Sequence, residues 1–289
     1  MIRGQSFIIP PCNPMHLFSQ AMWTSTGALL FAGVSACGKA ALENKPVVHL
    51  QTLSGQQVAS LSTKKIFFGH QSVGNNIVQG IRDLESIDPR LKLNIVKSPD
   101  PEAVSGPALV ELELGNNGRP ESKLAAFAAV LDKGMGAQGG IAILKFCYVD
   151  IDTSTDIQKL FAIYRKQMSD LKKKYPALKI VHVTVPLTIA DPWPKAWIKA
   201  LVGKSARQAL NAKRNEFNRL MRRNYAGREP FFDLEEIEST HADGSRLYLV
   251  QGNEKIYGLA PEFTVDGGHL NDLGRRVMAT RLLAVVAEL

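Results

Sequence analysis

The chain of 289 residues is 45% hydrophobic and 21% charged, ordinary values that exclude global disorder and leave room for one large α/β domain or two small ones. Its formal charge of +8, from 35 basic against 27 acidic residues, is a mild basic bias concentrated between Lys204 and Arg228. Those cations recur as the wet face of one amphipathic helix, with no recognition motif or aromatic interleaving, so no nucleic-acid partner is expected.

Three cysteines, Cys12, Cys37 and Cys147, do not make a disulfide framework, and two of them fall in the first forty residues. After Met22 comes "TSTGALLFAGVSAC", an apolar run too short to span a bilayer as a stable helix but of the length of a secretory h-region. Its end, "VSAC" at Val34–Cys37, resembles the bacterial lipobox, in which cleavage exposes a cysteine for lipid attachment. The reading is therefore a lipoprotein-type signal over 1–37, with translation starting at Met1, Met15 or Met22 and Cys37 as the lipidation site. A loosely packed N-terminus is the alternative. The signal implies the cell envelope, periplasmic or at the outer membrane, with a lipid anchor as the sole membrane attachment. A polar tether over 38–62 and a folded domain over 63–289 follow.

The folded part opens at "KKIFFGH" (Lys64–His70), a short apolar run ending in glycine and histidine, as a buried parallel strand would. Behind it "VGNNIVQGIRDLES" puts Ile77, Val78, Ile81 and Leu84 on one helical face. "LKLNIVKS" (Leu91–Ser98) reads as a second strand, a Gly/Pro/Asn-rich loop follows, and a helix runs from about Glu121 to Lys133. "GIAILKFCYVD" (Gly140–Asp150) is the most strand-like run, apolar on both faces and so central. Helix Asp156–Tyr175, strand Leu178–Thr188, a Pro/Trp-containing loop, the basic helix and strand Glu229–Ile237 come next. A hairpin over Arg246–Leu259 and a helix over Asp272–Leu289 close the chain. This alternation implies a doubly wound α/β fold with a five-stranded, mostly parallel sheet, whose chemistry collects at the carboxyl ends of the strands.

Two stretches carry candidate chemistry, one at the end of the first strand and one in the glycine loop before the last helix. In "FFGHQSVGNN", Ser72 stands between a strand and a helix, where it either caps the helix or serves as a nucleophile. In "FTVDGGHLNDLG", Asp266 stands three residues before His269, a spacing that lets the carboxylate receive one imidazole N–H and leaves the other nitrogen as a base. Asn271 or Asp272 can cap the last helix without using either.

"DGGHLNDLG" resembles the final block of the SGNH/GDSL hydrolases, and the opening strand–turn–helix is similar to that family's first block. The resemblance implies a flavodoxin-like three-layer α/β/α fold and a Ser-His-Asp triad of Ser72, His269 and Asp266. The first block departs from the family's Gly-Asp-Ser, reading "GHQS". Gly115 corresponds to the second-block glycine. The third block's asparagine, an oxyanion donor, is missing where the chain reads "KFCYVD". Asn117 of "GNNG" is expected to supply that amide, beside the backbone N–H groups of Ser72 and Gly115.

The expected activity is an ester hydrolase of the cell envelope, possessing no cofactor and no metal, on a small-molecule or glycan ester such as an O-acylated polysaccharide. An O-acetyltransferase on the same scaffold and a non-catalytic envelope binding protein are the alternatives. His70, Cys147, Asp150 and His269 lack a recognised metal-ligand spacing. Cys147 reads as a small core hydrophobe and His182 as a satisfied core histidine. Lys145, inside an apolar run, either reaches the sheet's edge or pairs with a carboxylate such as Asp150. Tyr248 and Tyr257 on the hairpin either wall the site as stacking surfaces or pack in the core.

Overall fold

The computed structural model describes residues 53–191 and 206–289. The expected signal with Cys37, the first part of the tether and the Pro/Trp-containing stretch after Asp191 lie outside the described residues. The stretch read as tether ends in a packed helix, α1 (Gly55–Leu61). Ser54 and Gln57 form a capping box at its start, and Val58 and Leu61 are buried.

Six strands form one sheet: β1 (Lys65–His70), β2 (Ile95–Lys97), β3 (Ala108–Glu113), β4 (Gly140–Leu144), β5 (Leu178–Val183) and β6 (Phe231–Phe232). Their spatial order is β2-β3-β1-β4-β5-β6, and every pairing is parallel. Alternate residues of β1 feed two cores. Ile66 and Phe68 join α1, α2 (Val73–Ile87) and α7 (Asp272–Ala287), while Phe67 joins α3 (Pro120–Val130), α4 (Ile157–Lys174) and α5 (Arg207–Tyr225). The result is the expected three-layer, flavodoxin-like α/β/α fold. A short helix α6 (Leu234–Glu238) and an antiparallel hairpin of β7 (Tyr248–Gln251) and β8 (Glu254–Tyr257) precede α7. Among the described residues, no helix is long and apolar enough to cross a membrane.

From β1 the chain turns through α2 toward β2, whereas from β4 it turns through α4 the other way, toward β5. Right-handed crossovers running in opposite directions place their helices on opposite faces, so the connections diverge between β1 and β4. In sheets of this kind such a divergence marks the carboxyl ends of the two central strands as the place where a ligand site is expected. Everything described below as the candidate site gathers there.

Three expectations are corrected. The sheet has six strands rather than five, because "ALVELE" pairs as β3 between β2 and β1. Glu111 hides that strand from a hydropathy reading, yet it is 4% exposed and satisfied by His70 and Arg82. The strand expected over Glu229–Ile237 shrinks to Phe231–Phe232, because Asp233 accepts a hydrogen bond from the Glu236 backbone and starts α6. The basic helix α5 is also not simply a wet face. Arg214 is 2% exposed, and Arg222 is held by Asp233 at 2.7 Å and Glu235 at 2.9 Å.

Candidate active site

Ser72 has φ +53° and ψ −108°, and it is the only non-glycine residue with positive φ among the described residues. Such a conformation costs about 1–3 kcal/mol unless the surroundings impose it. The surroundings here are tight. A Cβ on Gly74 would fall 2.4 Å from His70 Cβ, so the last residue of β1 and the first turn of α2 nearly touch. The fully buried His70 is anchored in turn, its Nε2 lying 3.2 Å from Glu111, which also accepts from Arg82 at 3.1 Å. Gln71 donates its side-chain amide to the carbonyls of Leu114 and Gly115, fastening the turn to the end of β3. Ser72 occupies the N-cap position of α2 but makes no side-chain cap bond. Its Oγ lies 2.8 Å from His269 Nε2 instead.

His269 reaches Ser72 from the loop before α7. Asp266 Oδ2 lies 2.6 Å from His269 Nδ1, and Asp266 Oδ1 accepts the backbone N–H groups of Gly268 and His269, each at 2.8 Å. Partial burial pushes the Asp266 carboxyl upward, but the hydrogen bonds from His269 and from these amides outweigh it and hold the group well below the usual carboxylate range. A carboxylate only accepts, so Nδ1 carries the ring proton. In the neutral imidazole Nε2 then has its lone pair facing the serine hydroxyl. The capping work of α7 falls to Asn271, whose side chain accepts from Gly274 N at 2.9 Å.

Gly115, with φ +58°, turns the chain after β3, beside the serine turn to which Gln71 ties it. Asn117 is exposed, and its Oδ1 accepts from the Lys123 ammonium at 2.9 Å. Lys123 and Asp150 form a fully buried ion pair at 2.6 Å, and Asp150 also receives Gly118 N at 2.9 Å, so the "GNNG" loop is stapled to the end of β4. Asp150 is thus the partner of Lys123. Lys145 neither reaches an edge nor forms an ion pair with Asp150: it is fully buried, donates to the Phe146 carbonyl at 2.9 Å, and burial pushes its ammonium down to about 8. Cys147 is buried within the same segment. His182 stacks on Tyr225 at 3.7 Å between ring centroids, meets the Tyr164 hydroxyl at 2.8 Å and lies 3.1 Å from Glu229. On the hairpin, Tyr248 and Tyr257 pack edge to face at 6.0 Å, with Arg246 over Tyr257 at 3.7 Å; β8 is fastened to α5 through Tyr257 N and Asn215.

Three residues at the site escaped the sequence reading. Asn76, one turn into α2, accepts Leu270 N at 3.1 Å and ties the histidine loop to the serine helix. Tyr148, just after β4, packs edge to face on His269 at 5.9 Å between ring centroids. Arg214 donates Nε to the Tyr148 carbonyl at 2.8 Å, with its guanidinium 5.6 Å from the ring centroid. Asn76 offered a signal in retrospect, being a polar residue on the helical side that faces α7. Tyr148 and Arg214 offered none, since a tyrosine after an apolar strand and an arginine in a basic helix have commoner explanations.

With His269 and Asp266 side chains 46% and 51% exposed, the relay opens directly to solvent. Exposed Val149 and Val265, at 43% and 89%, adjoin Tyr148 and Asp266 in sequence. The geometry allows the imidazole to draw the serine proton while the carboxylate steadies the cation that forms.

No protein-family model matches the chain, and no curated protein matches it. Among solved structures, it is similar to a Streptococcus pneumonia protein provisionally named a platelet activating factor, with TM-score 0.43 and 16% identity over 78% of this chain and 89% of that one. An acetyl xylan esterase, AlAXEase, is similar at TM-score 0.41 and 16% identity, over 75% of this chain and 96% of that one. The salicylyl-acyltransferase SsfX3 of a tetracycline biosynthetic pathway follows at 0.37 and 10%, over 76% of this chain and 53% of its own length. At this distance the likenesses assign neither a substrate nor a reaction.

Proposed function

We propose that the protein is a serine-dependent ester hydrolase. The observation that carries this reading is the relay itself: a serine in a strained turn whose hydroxyl faces, at 2.8 Å, an imidazole held at 2.6 Å by a carboxylate. A merely structural serine at a helix start would use its hydroxyl as a cap. In the proposed reaction Ser72 Oγ bonds to the ester carbonyl carbon while its proton passes to His269 Nε2. The carbonyl electron pair moves onto oxygen, where the Gly115 and Ser72 backbone N–H groups and the Asn117 amide receive it. Collapse expels the alcohol, which takes the proton from His269, and water then frees the acyl group by the same route.

The half-exposed relay suits an ester whose alcohol portion is bulky, such as an O-acylated glycan. The lipobox-like segment ending at Cys37 supports placing that substrate in the cell envelope. The test is turnover of p-nitrophenyl acetate by the full chain. Ser72→Ala is expected to lose at least 10³-fold in kcat, and Asp266→Asn about 10⁴-fold through the wrong imidazole tautomer. Undiminished turnover by Ser72→Ala overturns the reading.

A further inference from the structure

We propose that Tyr148 is a catalytic residue, its hydroxyl donating to the oxyanion beside the Gly115, Ser72 and Asn117 donors. This rests on the reading of Ser72 as the nucleophile. An oxyanion site needs donors that are placed at the reacting carbon, fixed before reaction and still protonated when charge develops. Tyr148 meets each requirement through different neighbours.

Its placement follows from topology. β4 lies directly beside β1, so the segment leaving β4 faces the turn that carries Ser72. The ring stands edge-on to His269 at 5.9 Å, and its Cζ and hydroxyl each lie 3.2 Å from where a Cβ of Gly268 would sit. The bare Cα of Gly268 is thus the seat of the phenol, and the Ser72 hydroxyl is among the groups that act on it. Fixation comes from beneath. Arg214 holds the Tyr148 carbonyl at 2.8 Å and is itself pinned through Nη1 to Thr188 Oγ1 at 3.1 Å and Asn211 Oδ1 at 2.8 Å. Protonation is secured by burial, which pushes the phenol up, with Cys147 and Asp266 adding to the effect and the Ser72 hydroxyl and Arg214 opposing it. At neutral pH the group therefore keeps its proton and can only donate or accept as a neutral hydroxyl.

In the step considered, Ser72 Oγ–C forms, the carbonyl π pair moves to oxygen, and His269 takes the serine proton. Tyr148 keeps its own proton and shares it with the oxyanion until collapse. Tyr148→Phe retains the ring that packs on Gly268 and His269 and removes this donor alone. With p-nitrophenyl acetate, kcat is expected to fall on the order of 10²-fold, with KM within about twofold of the parent. Inhibition by phenylboronic acid, which forms a tetrahedral adduct with an activated serine, is expected to weaken by a similar factor. Gly268→Ala is the second variant: its methyl enters the space of the phenol, so it should lower kcat and boronate affinity together. Parent-like kcat and boronate affinity in Tyr148→Phe, with Ser72→Ala inactive, overturn the proposal and leave the nucleophile intact. Turnover that survives Ser72→Ala overturns both.

Discussion

Ser72 illustrates how a single residue can be placed against its own preference. A serine ahead of a helix ordinarily adopts an extended backbone and caps an N–H group. Here φ is +53°, no cap bond forms, and the hydroxyl is given over to His269. If the strain is imposed by the contact between His70 and Gly74, a residue free to adopt positive φ relieves it. Ser72→Gly is therefore expected to stabilise the fold by about 1 kcal/mol in urea denaturation while abolishing esterase turnover. Destabilisation by that variant would show that the serine side chain, not the backbone, holds the turn. At this scale the Asp-x-x-His spacing and the serine between strand and helix were legible in the sequence, because each is a local pattern with few geometric solutions. Tyr148, Arg214 and the buried pair of Lys123 with Asp150 were not, because their roles exist only where distant segments meet.

At the scale of elements, α2 and α7 determine whether the serine and the imidazole meet. They pack at close range: a Cβ on Gly80 would lie 2.1 Å from the Arg275 carbonyl oxygen, and Arg275 reaches back to pair with Asp83. Asn76 adds the bond to Leu270 N one turn nearer the site. Gly80→Ala must part the helices, at a cost of about 1–3 kcal/mol for overpacking. We expect a lowered melting temperature together with at least a tenfold loss of kcat, since the helix that carries the histidine loop would shift as a body. A variant with normal kcat would show that the loop holds its geometry independently of α7. Most elements could be read from period and punctuation, as with α4, whose buried residues Leu160, Phe161, Tyr164, Met168 and Leu171 all lie on the expected face. β3 was lost because Glu111 and Glu113 break its apolar run. The Arg82 ion pair and the His70 hydrogen bond that make Glu111 tolerable inside the sheet come from α2 and β1, so no reading of "ALVELE" alone could supply them.

At the scale of the whole molecule, the fold brings together a hydroxyl and an imidazole 197 residues apart in sequence. The parallel order makes this possible: β1 is central, its carboxyl end opens at the point where connections diverge, and α7 packs against α2 alongside it. The Tyr148 segment arrives from β4 on the other side, and β3 delivers Gly115. The central claim is that this convergence activates Ser72. A fluorophosphonate probe reacted with the full chain, followed by peptide mass mapping, tests it most directly. The account predicts one stoichiometric adduct on Ser72 that is lost in His269→Ala. Labelling that is absent, located on another residue or indifferent to His269 would contradict it.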